Sequence, residues 1–226
     1  MDGNGRWAKK RFLPRISGHT KGLDAVQKII EYSIKYKIPT LTLYAFSTEN
    51  WNRPTKEIDG LMKLFSKTIS NQSKKINKNN IQIKILGDVS NFSKVLRLKI
   101  IKLEEETASN NNLNLNIALN YGGRSDIVNA VNNFYSIKAN RNKKISEKKI
   151  NNLLYTGKAD EVDLLIRTGG YQRVSNFLLW QIAYSELFFT KTLWPDFNEN
   201  DFIDALHFFQ KSERKFGNLT GENLNA

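Results

Sequence analysis

TLTLYAFSTENWNRP, residues 40–54, sets a short run of threonines, aliphatics and aromatics directly against a polar cluster. Thr40 to Phe46 has the make-up of a buried strand, and Ser47 onward has that of a loop. A helical pattern precedes it: Leu23, Val26, Ile29, Ile30 and Ile34 recur at three- and four-residue steps between Gly22 and Tyr36. Another follows, with Ile58, Leu61, Met62, Leu64, Phe65 and Ile69 on one face of a long helix.

The alternation continues outward. IQIKIL at 81–86 reads as a strand, Phe92 to Thr107 as a helix, and LNLNIAL at 113–119 as a strand ending at the turn Tyr121-Gly122-Gly123. Helices are expected over roughly 125–137 and 146–155, and a strand over VDLLIR, 162–167. A helical segment at 176–182, a short strand at 187–189 and a last helix from Glu199 to Lys215 complete the chain. Strands separated by helices predict an α/β fold, one domain over residues 1–226, with a mostly parallel central sheet flanked by helices.

Open α/β sheets bind ligands beyond the carboxyl ends of their strands. Polar clusters fall there: Ser47 to Arg53, Gly87-Asp88, Asn120 to Arg124, and Arg167-Thr168-Gly169-Gly170 through Arg173. A parallel sheet would gather them on one rim.

Composition narrows the classes. Of 226 residues, 40% are hydrophobic and 25% charged, an ordinary globular balance. No apolar run approaches a membrane span, and no secretory signal heads the chain. With no cysteine there is no disulfide framework or thiolate metal site. These features together predict a cytoplasmic protein. The net charge of +13 raises nucleic-acid binding as a reading. The lysines are scattered among Asn and Ile, however, as on solvated faces, and a positive field equally suits a small anionic substrate.

The first residues, MDGNGRWA, contain a relaxed G-x-G-x-x-A pattern but no preceding strand. Asp2 and Asn4 stand at calcium-loop spacing, but Arg6 occupies the next ligand position. Placed on the rim with the other clusters, Gly3 and Gly5 would instead bring backbone N–H groups close to an anion.

MDGNGRWA, Arg15, Gly18-His19, FSTENWNRP, NYGGR, IRTGG and SNFLLWQIAYSEL together resemble the cis-prenyltransferases, in that family's order and from end to end. The resemblance implies repeated cis addition of isopentenyl diphosphate to farnesyl diphosphate. The expected product is undecaprenyl diphosphate, precursor of the cell-wall lipid carrier. It also implies Mg2+, a homodimer, a hydrophobic tunnel for the growing chain, transient membrane association for product release, and no nucleic-acid partner.

Carried onto this chain, the family pattern assigns the primer diphosphate to Gly3, Asn4, Gly5 and Arg6, beside Trp7, with Arg15 and His19 as further donors. Ser47, Thr48, Glu49, Trp51 and Arg53 would border the primer. Arg167, Arg173, Val174 and Ser175 would hold isopentenyl diphosphate, and Asp2 and Glu186 would ligate Mg2+. Asp2 and Asn50 would be catalytic. An amide is a poor base, so Asn50 is read as positioning a proton relay. Ala45, Leu61, Met62, Phe65 and Leu113 are candidate tunnel walls by the same analogy.

Three departures from the family pattern stand out. The resemblance implies a strand ahead of the Asp-Gly-Asn-Gly motif, so a start upstream of Met1 is expected, with the first strand missing from the chain as given. Tyr171-Gln172 stand where relatives commonly carry Glu followed by Gln or His. Lys215-Phe216-Gly217 replaces a C-terminal Arg-x-Gly. The first two departures motivate an alternative, a non-catalytic scaffold subunit of the same fold.

Overall fold

The computed structural model describes residues 1–157 and 161–213. Helix α1 (Asn4–Lys9) leads into α2 (Arg15–Lys35), strand β1 (Thr40–Ser47), a 3-10 turn over Thr48–Asn52 and the long α3 (Thr55–Lys78). Then come β2 (Ile81–Leu86), α4 (Lys94–Thr107), β3 (Leu113–Tyr121), α5 (Gly123–Ser136) and α6 (Glu147–Leu153). The described chain closes with β4 (Leu164–Arg167), β5 (Glu186–Phe189) and α7 (Glu199–Lys211).

Every strand pair is parallel, as the alternation with helices requires. Among the described residues the strands form two ladders rather than one central sheet: β1-β3-β2, and β4-β5. β3 lies in the middle of the first, with Leu43 of β1 opposite Ile117 and Ile83 of β2 opposite Leu115. A central parallel strand is covered on both faces, and Leu113, Leu115, Ala118, Leu119 and Tyr121 are accordingly buried.

Side chains tie the ladders together. Leu43, Ile81, Ile83, Leu113 and Leu115 share a core with Ala25 and Ile29 of α2 and with Trp194, Phe197 and Phe202, and Ile166 of β4 packs against it. Burying one aliphatic side chain of this size contributes about 1.5–3 kcal/mol. A second cluster joins Phe46, Leu61, Phe92, Leu96, Ile100 and Leu119, with Ala45, Met62 and Phe65 at its margin. Leu113 therefore belongs to the first cluster, apart from the other four residues read as a tunnel wall.

Two expectations are corrected. Helix α2 begins at Arg15, directly after Pro14, seven residues before the apolar pattern becomes legible. Residues 176–182 form turns instead of a helix. Ser175, Asn176 and Leu178 have φ of 49°, 61° and 45°, which interrupts helical hydrogen bonding. Leu178 is 1% exposed, packed with Leu86, Ala118 and Tyr121, and Asn176 bonds to the start of α5. These tertiary contacts override the local helical preference. The last helix ends at Lys211, and the Lys215-Phe216-Gly217 departure lies outside the described residues.

Candidate active site

The opening loop is held from three sides. Gly3 adopts φ 110°, and a Cβ there would meet Leu193 at 2.9 Å. The Asp2 amide donates to Thr168 Oγ1 and the Thr168 hydroxyl lies 2.9 Å from the Asp2 carbonyl oxygen, which also accepts from the Trp194 amide. From α2, Gly18 closes on α1 so tightly that a Cβ would sit 2.0 Å from the Asn4 carbonyl oxygen.

This framework presents the Asp2 carboxylate between two guanidiniums. Arg6 Nη2 lies 3.3 Å from Oδ1, and Arg167 Nη2 donates to Oδ2 at 3.1 Å. Arg6 Nη1 bonds the Gly169 carbonyl at 2.7 Å, while Arg167 Nη1 reaches Ser175 Oγ at 2.7 Å and the Arg173 carbonyl. Burial alone would raise the Asp2 pKa. The Arg167 hydrogen bond and the charges of Arg6 and Arg167 outweigh it, so the carboxyl sits below the ordinary carboxylate range.

A second polar cluster centres on Glu57, at the start of α3. Arg15 Nε donates to Oε2 at 3.1 Å and Arg53 Nη1 to Oε1 at 3.2 Å, with His19 Nε2 3.8 Å from Oε1. Gly5 brings this cluster against α1, since a Cβ there would lie 2.9 Å from Arg15 Cζ. Burial, and then the Arg53 charge, push the His19 pKa down to about 4, so at neutral pH the imidazole is uncharged.

The His19 shift has a sign that can be tested. The unfolded imidazole binds a proton near pH 6.5, whereas the folded one resists until about pH 4. Between those values the unfolded state binds more protons, so stability falls as pH falls through this window. The expected loss from this group is on the order of 3 kcal/mol. Denaturant melts at stepped pH should show a shallower acid decline in His19→Asn than in wild type. Parallel curves would remove His19 as the cause.

The loop after β1 is organised by side-chain bonds. The Ser47 amide donates to Asn50 Oδ1 at 3.1 Å, so that oxygen orients the loop. Trp51 rests edge-on against Phe46, and its indole N–H donates to Asn120 Oδ1 at 2.8 Å. Glu49 accepts from Asn176 Nδ2 at 2.7 Å, and Asn176 Oδ1 in turn accepts from the Arg124 amide at the start of α5. Asn176 thereby links the segment after Ser175, the loop after β1 and the Gly122-Gly123 turn.

The structure thus sets Arg6 and Arg167 on the Asp2 carboxylate, ties Ser175 and the Arg173 carbonyl to Arg167, and carries Gly3, Asn4 and Gly5 in the loop that follows Asp2. It sets Arg15, His19 and Arg53 beside them, and Val174 lies between the two clamp residues. Trp7 is held by the fold: its ring is buried against Leu193, its indole donates to Asp196 at 2.6 Å, and its backbone amide is bonded to Gly3. These contacts anchor α1. Glu186 is opposite Leu164 in the β4-β5 ladder, three positions back from Arg167, or about 10 Å along the strand. Within one chain it is not part of the Asp2 cluster.

Sequence reading assigned no individual role to Thr168, Glu57, Asn120 or Asn176, although Thr168 and Asn120 fall in the rim clusters and Asn176 in a family motif. Glu57 follows Arg53 by four residues at a helix start, a spacing that favours pairing. Asn120 and Asn176 carried no comparable signal, because their partners are remote in sequence.

Among the described residues no group of three His, Cys, Asp or Glu converges to cage a metal. Mg2+, however, is ordinarily held by one or two carboxylates together with substrate phosphates and water, and the charged Asp2 fits that mode. Arg167 Nε is buried without a hydrogen-bond partner, and Arg6 Nη2 and His19 Nε2 make only the longer contacts to Asp2 and Glu57, which leaves N–H capacity for an anion.

Comparison with known proteins gives these residues a context. The family profile described as "Putative undecaprenyl diphosphate synthase" matches residues 1–217. An isoprenyl transferase of Chromobacterium violaceum is 50% identical over 99% of this chain and 88% of its own length. A farnesyl-diphosphate-specific ditrans,polycis-undecaprenyl-diphosphate synthase of Haemophilus influenzae is 50% identical, over 96% of this chain and 92% of that protein. The crystal structure of lavandulyl diphosphate synthase from Lavandula x intermedia, in complex with dimethylallyl diphosphate, matches with a TM-score of 0.90 and 34% identity, over 96% of this chain and 95% of that one. A probable undecaprenyl diphosphate synthase of Campylobacter jejuni matches with a TM-score of 0.79 and 35% identity, over 88% and 92% of the two chains. Motif order, parallel fold and end-to-end identity agree: the chain belongs to the undecaprenyl diphosphate synthase family of cis-prenyltransferases, and it is an enzyme of that class.

Proposed function

We propose that the enzyme condenses isopentenyl diphosphate repeatedly onto farnesyl diphosphate to give undecaprenyl diphosphate. The observation that carries this reading is the Asp2 carboxylate bracketed by Arg6 and Arg167. There the primer-side loop meets the Arg167–Ser175 clamp, so two diphosphates can lie side by side.

In each addition the primer's carbon–oxygen bond breaks and its diphosphate leaves. The double bond of isopentenyl diphosphate attacks the allylic carbon, and a proton is lost to form the new cis double bond. Gly3, Asn4, Gly5 and Arg6 receive the leaving diphosphate, with Arg15, His19 and Arg53 behind them. Charge-assisted hydrogen bonds of this kind contribute about 1.5–3 kcal/mol each. Arg167, Arg173 and Ser175 hold isopentenyl diphosphate, and Asn50 keeps Ser47 in place for the proton relay. When bound, Mg2+ supplies neutralising charge at the leaving diphosphate, with Asp2 as its ligand. Glu186 enters the ligand set on the family pattern alone.

The apolar cluster of Phe46, Leu61, Phe92 and Leu119, with Ala45, Met62 and Phe65, supplies a dry wall for the growing tail. Each methylene buried there adds about 0.8 kcal/mol of driving force. Tyr184, Leu187 and Phe208 leave apolar surface around β5 and α7, which suits a homodimer. No helix among the described residues is long and apolar enough to cross a membrane. Contact with the bilayer is accordingly proposed as transient, at product release.

The test is incubation with farnesyl diphosphate, labelled isopentenyl diphosphate and Mg2+, resolving products by length. Long-chain product abolished by EDTA and restored by Mg2+ is expected. Activity appearing only on mixing with a second prenyltransferase subunit would favour the scaffold role instead.

A further inference from the structure

We propose that Tyr171 is a positioning residue of the diphosphate site, whose ring is the common platform aligning Arg6, Arg167 and Arg173. The three guanidinium carbons lie 4.6, 5.8 and 4.2 Å from the ring centroid. Naming the ligand as isopentenyl or farnesyl diphosphate rests on the function proposed above; the platform itself rests on this geometry.

Three like charges brought this close repel one another, and something must offset the repulsion before an anion arrives. Asp2 offsets part of it for Arg6 and Arg167, but only by occupying N–H groups that a diphosphate would otherwise use, and it does not reach the Arg173 guanidinium among the contacts described. An aromatic face attracts the cation through its quadrupole and takes no hydrogen bond from it. A guanidinium resting on a ring keeps its planar fork available for phosphate oxygens. Tyr171 therefore gathers positive charge without neutralising it.

The platform is itself fixed. Gly169 and Gly170, at φ 86° and 80°, turn the chain immediately before Tyr171. Their amides donate to the carbonyls of Thr192 and Thr190, both at 2.8 Å, which fastens the turn to the segment after β5. The guanidiniums depend on the ring to different degrees. Arg167 is also held by Asp2 and Ser175, and Arg6 by Gly169. The Arg173 guanidinium rests on the Tyr171 ring, the nearest of the three to it. Loss of the ring should release Arg173 most and Arg167 least. The site assigned to isopentenyl diphosphate should then weaken more than the primer site.

The experiment compares Tyr171→Phe, Tyr171→Leu and Tyr171→Ala with wild type. It measures kcat, the KM for each substrate, melting temperature, and calorimetric binding of inorganic diphosphate. Tyr171 is 42% exposed, so all three variants are expected to fold. Phe keeps the ring and should match wild type within about twofold. Leu keeps apolar bulk without a π face. It and Ala should raise the KM for isopentenyl diphosphate about five- to tenfold, with kcat within about threefold and inorganic diphosphate binding weakened in parallel. Wild-type behaviour of Tyr171→Leu would overturn the proposal, as would Tyr171→Phe failing as badly as Ala. A fall in melting temperature and kcat with unchanged KM would mark a structural role and overturn it too. If wild type makes no prenyl product, the proposed reaction fails instead, and the diphosphate-binding series still decides the role of Tyr171.

Discussion

Asp2→Ala is expected to lower kcat by about two to three orders of magnitude while leaving the fold intact, on the scale seen when one preorganised electrostatic group is removed from an active site. Asp2 contributes in two ways. It is the carboxylate available to Mg2+, and its two oxygens hold Arg6 and Arg167 in mutual register. Truncation removes both, leaving two cations facing each other across the site. Arg6 keeps its bond to Gly169 and Arg167 its bond to Ser175, so neither loses its place in the fold. Asp2→Asn separates the two contributions, because the amide oxygen can still accept from Arg167 but carries no charge for a metal. Turnover as low as in Asp2→Ala would assign the effect to the charge, whereas intermediate turnover would assign part of it to alignment. The measurement is steady-state turnover across a Mg2+ titration, with melting curves as the control for folding. Near-normal turnover in Asp2→Ala would remove Asp2 from the catalytic assignment.

The second large effect is expected from Gly18→Ala, a change that touches no substrate. The added Cβ would lie 2.0 Å from the Asn4 carbonyl oxygen and 2.7 Å from its carbonyl carbon. Both are backbone atoms, so no side chain can rotate away. Helix α1 must lift from α2, at a cost of about 1–3 kcal/mol in line with other overpacked cores. The lift displaces the Asp2-Gly3-Asn4-Gly5 loop. A shift near 1 Å at a reacting centre costs roughly a hundredfold in rate, so turnover should fall by about that factor even in the folded fraction. Gly60→Ala is the control: its Cβ would meet only the flexible end of Ile16, at 3.2 Å. Within α3 the alanine should also favour the helix. A Gly18→Ala enzyme as stable and fast as wild type would show that α1 and α2 are not in such close contact.

Much of the architecture was legible because it depends on neighbours in the chain. TLTLYAF and LNLNIAL are strands by their own composition, and the three- and four-residue recurrence in α3 is local. The site residues of the motifs were assigned for a different reason: long, unusual strings resembling one family imply roles for the residues in them. Residues 176–182 show where this stops. FLLWQI has the composition of a helix, but burying Leu178 and satisfying the α5 amides with Asn176 require left-handed backbone there. Trp7 shows the same limit within a motif, since its indole is taken up by Asp196, 189 positions away.

The sequence by itself determined the alternation of strands and helices, the rim loops and the family, because each is written in short-range pattern or contiguous motif. Only the tertiary structure decided which charges meet. It paired Asp2 with Arg167 across 165 positions, made Glu57 the shared partner of Arg15 and Arg53, and set Tyr171 beneath three guanidiniums. The physical reason is distance: electrostatic and cation–π contacts act over a few ångströms in space, and the chain path that brings such groups together is set by the packing of the whole core.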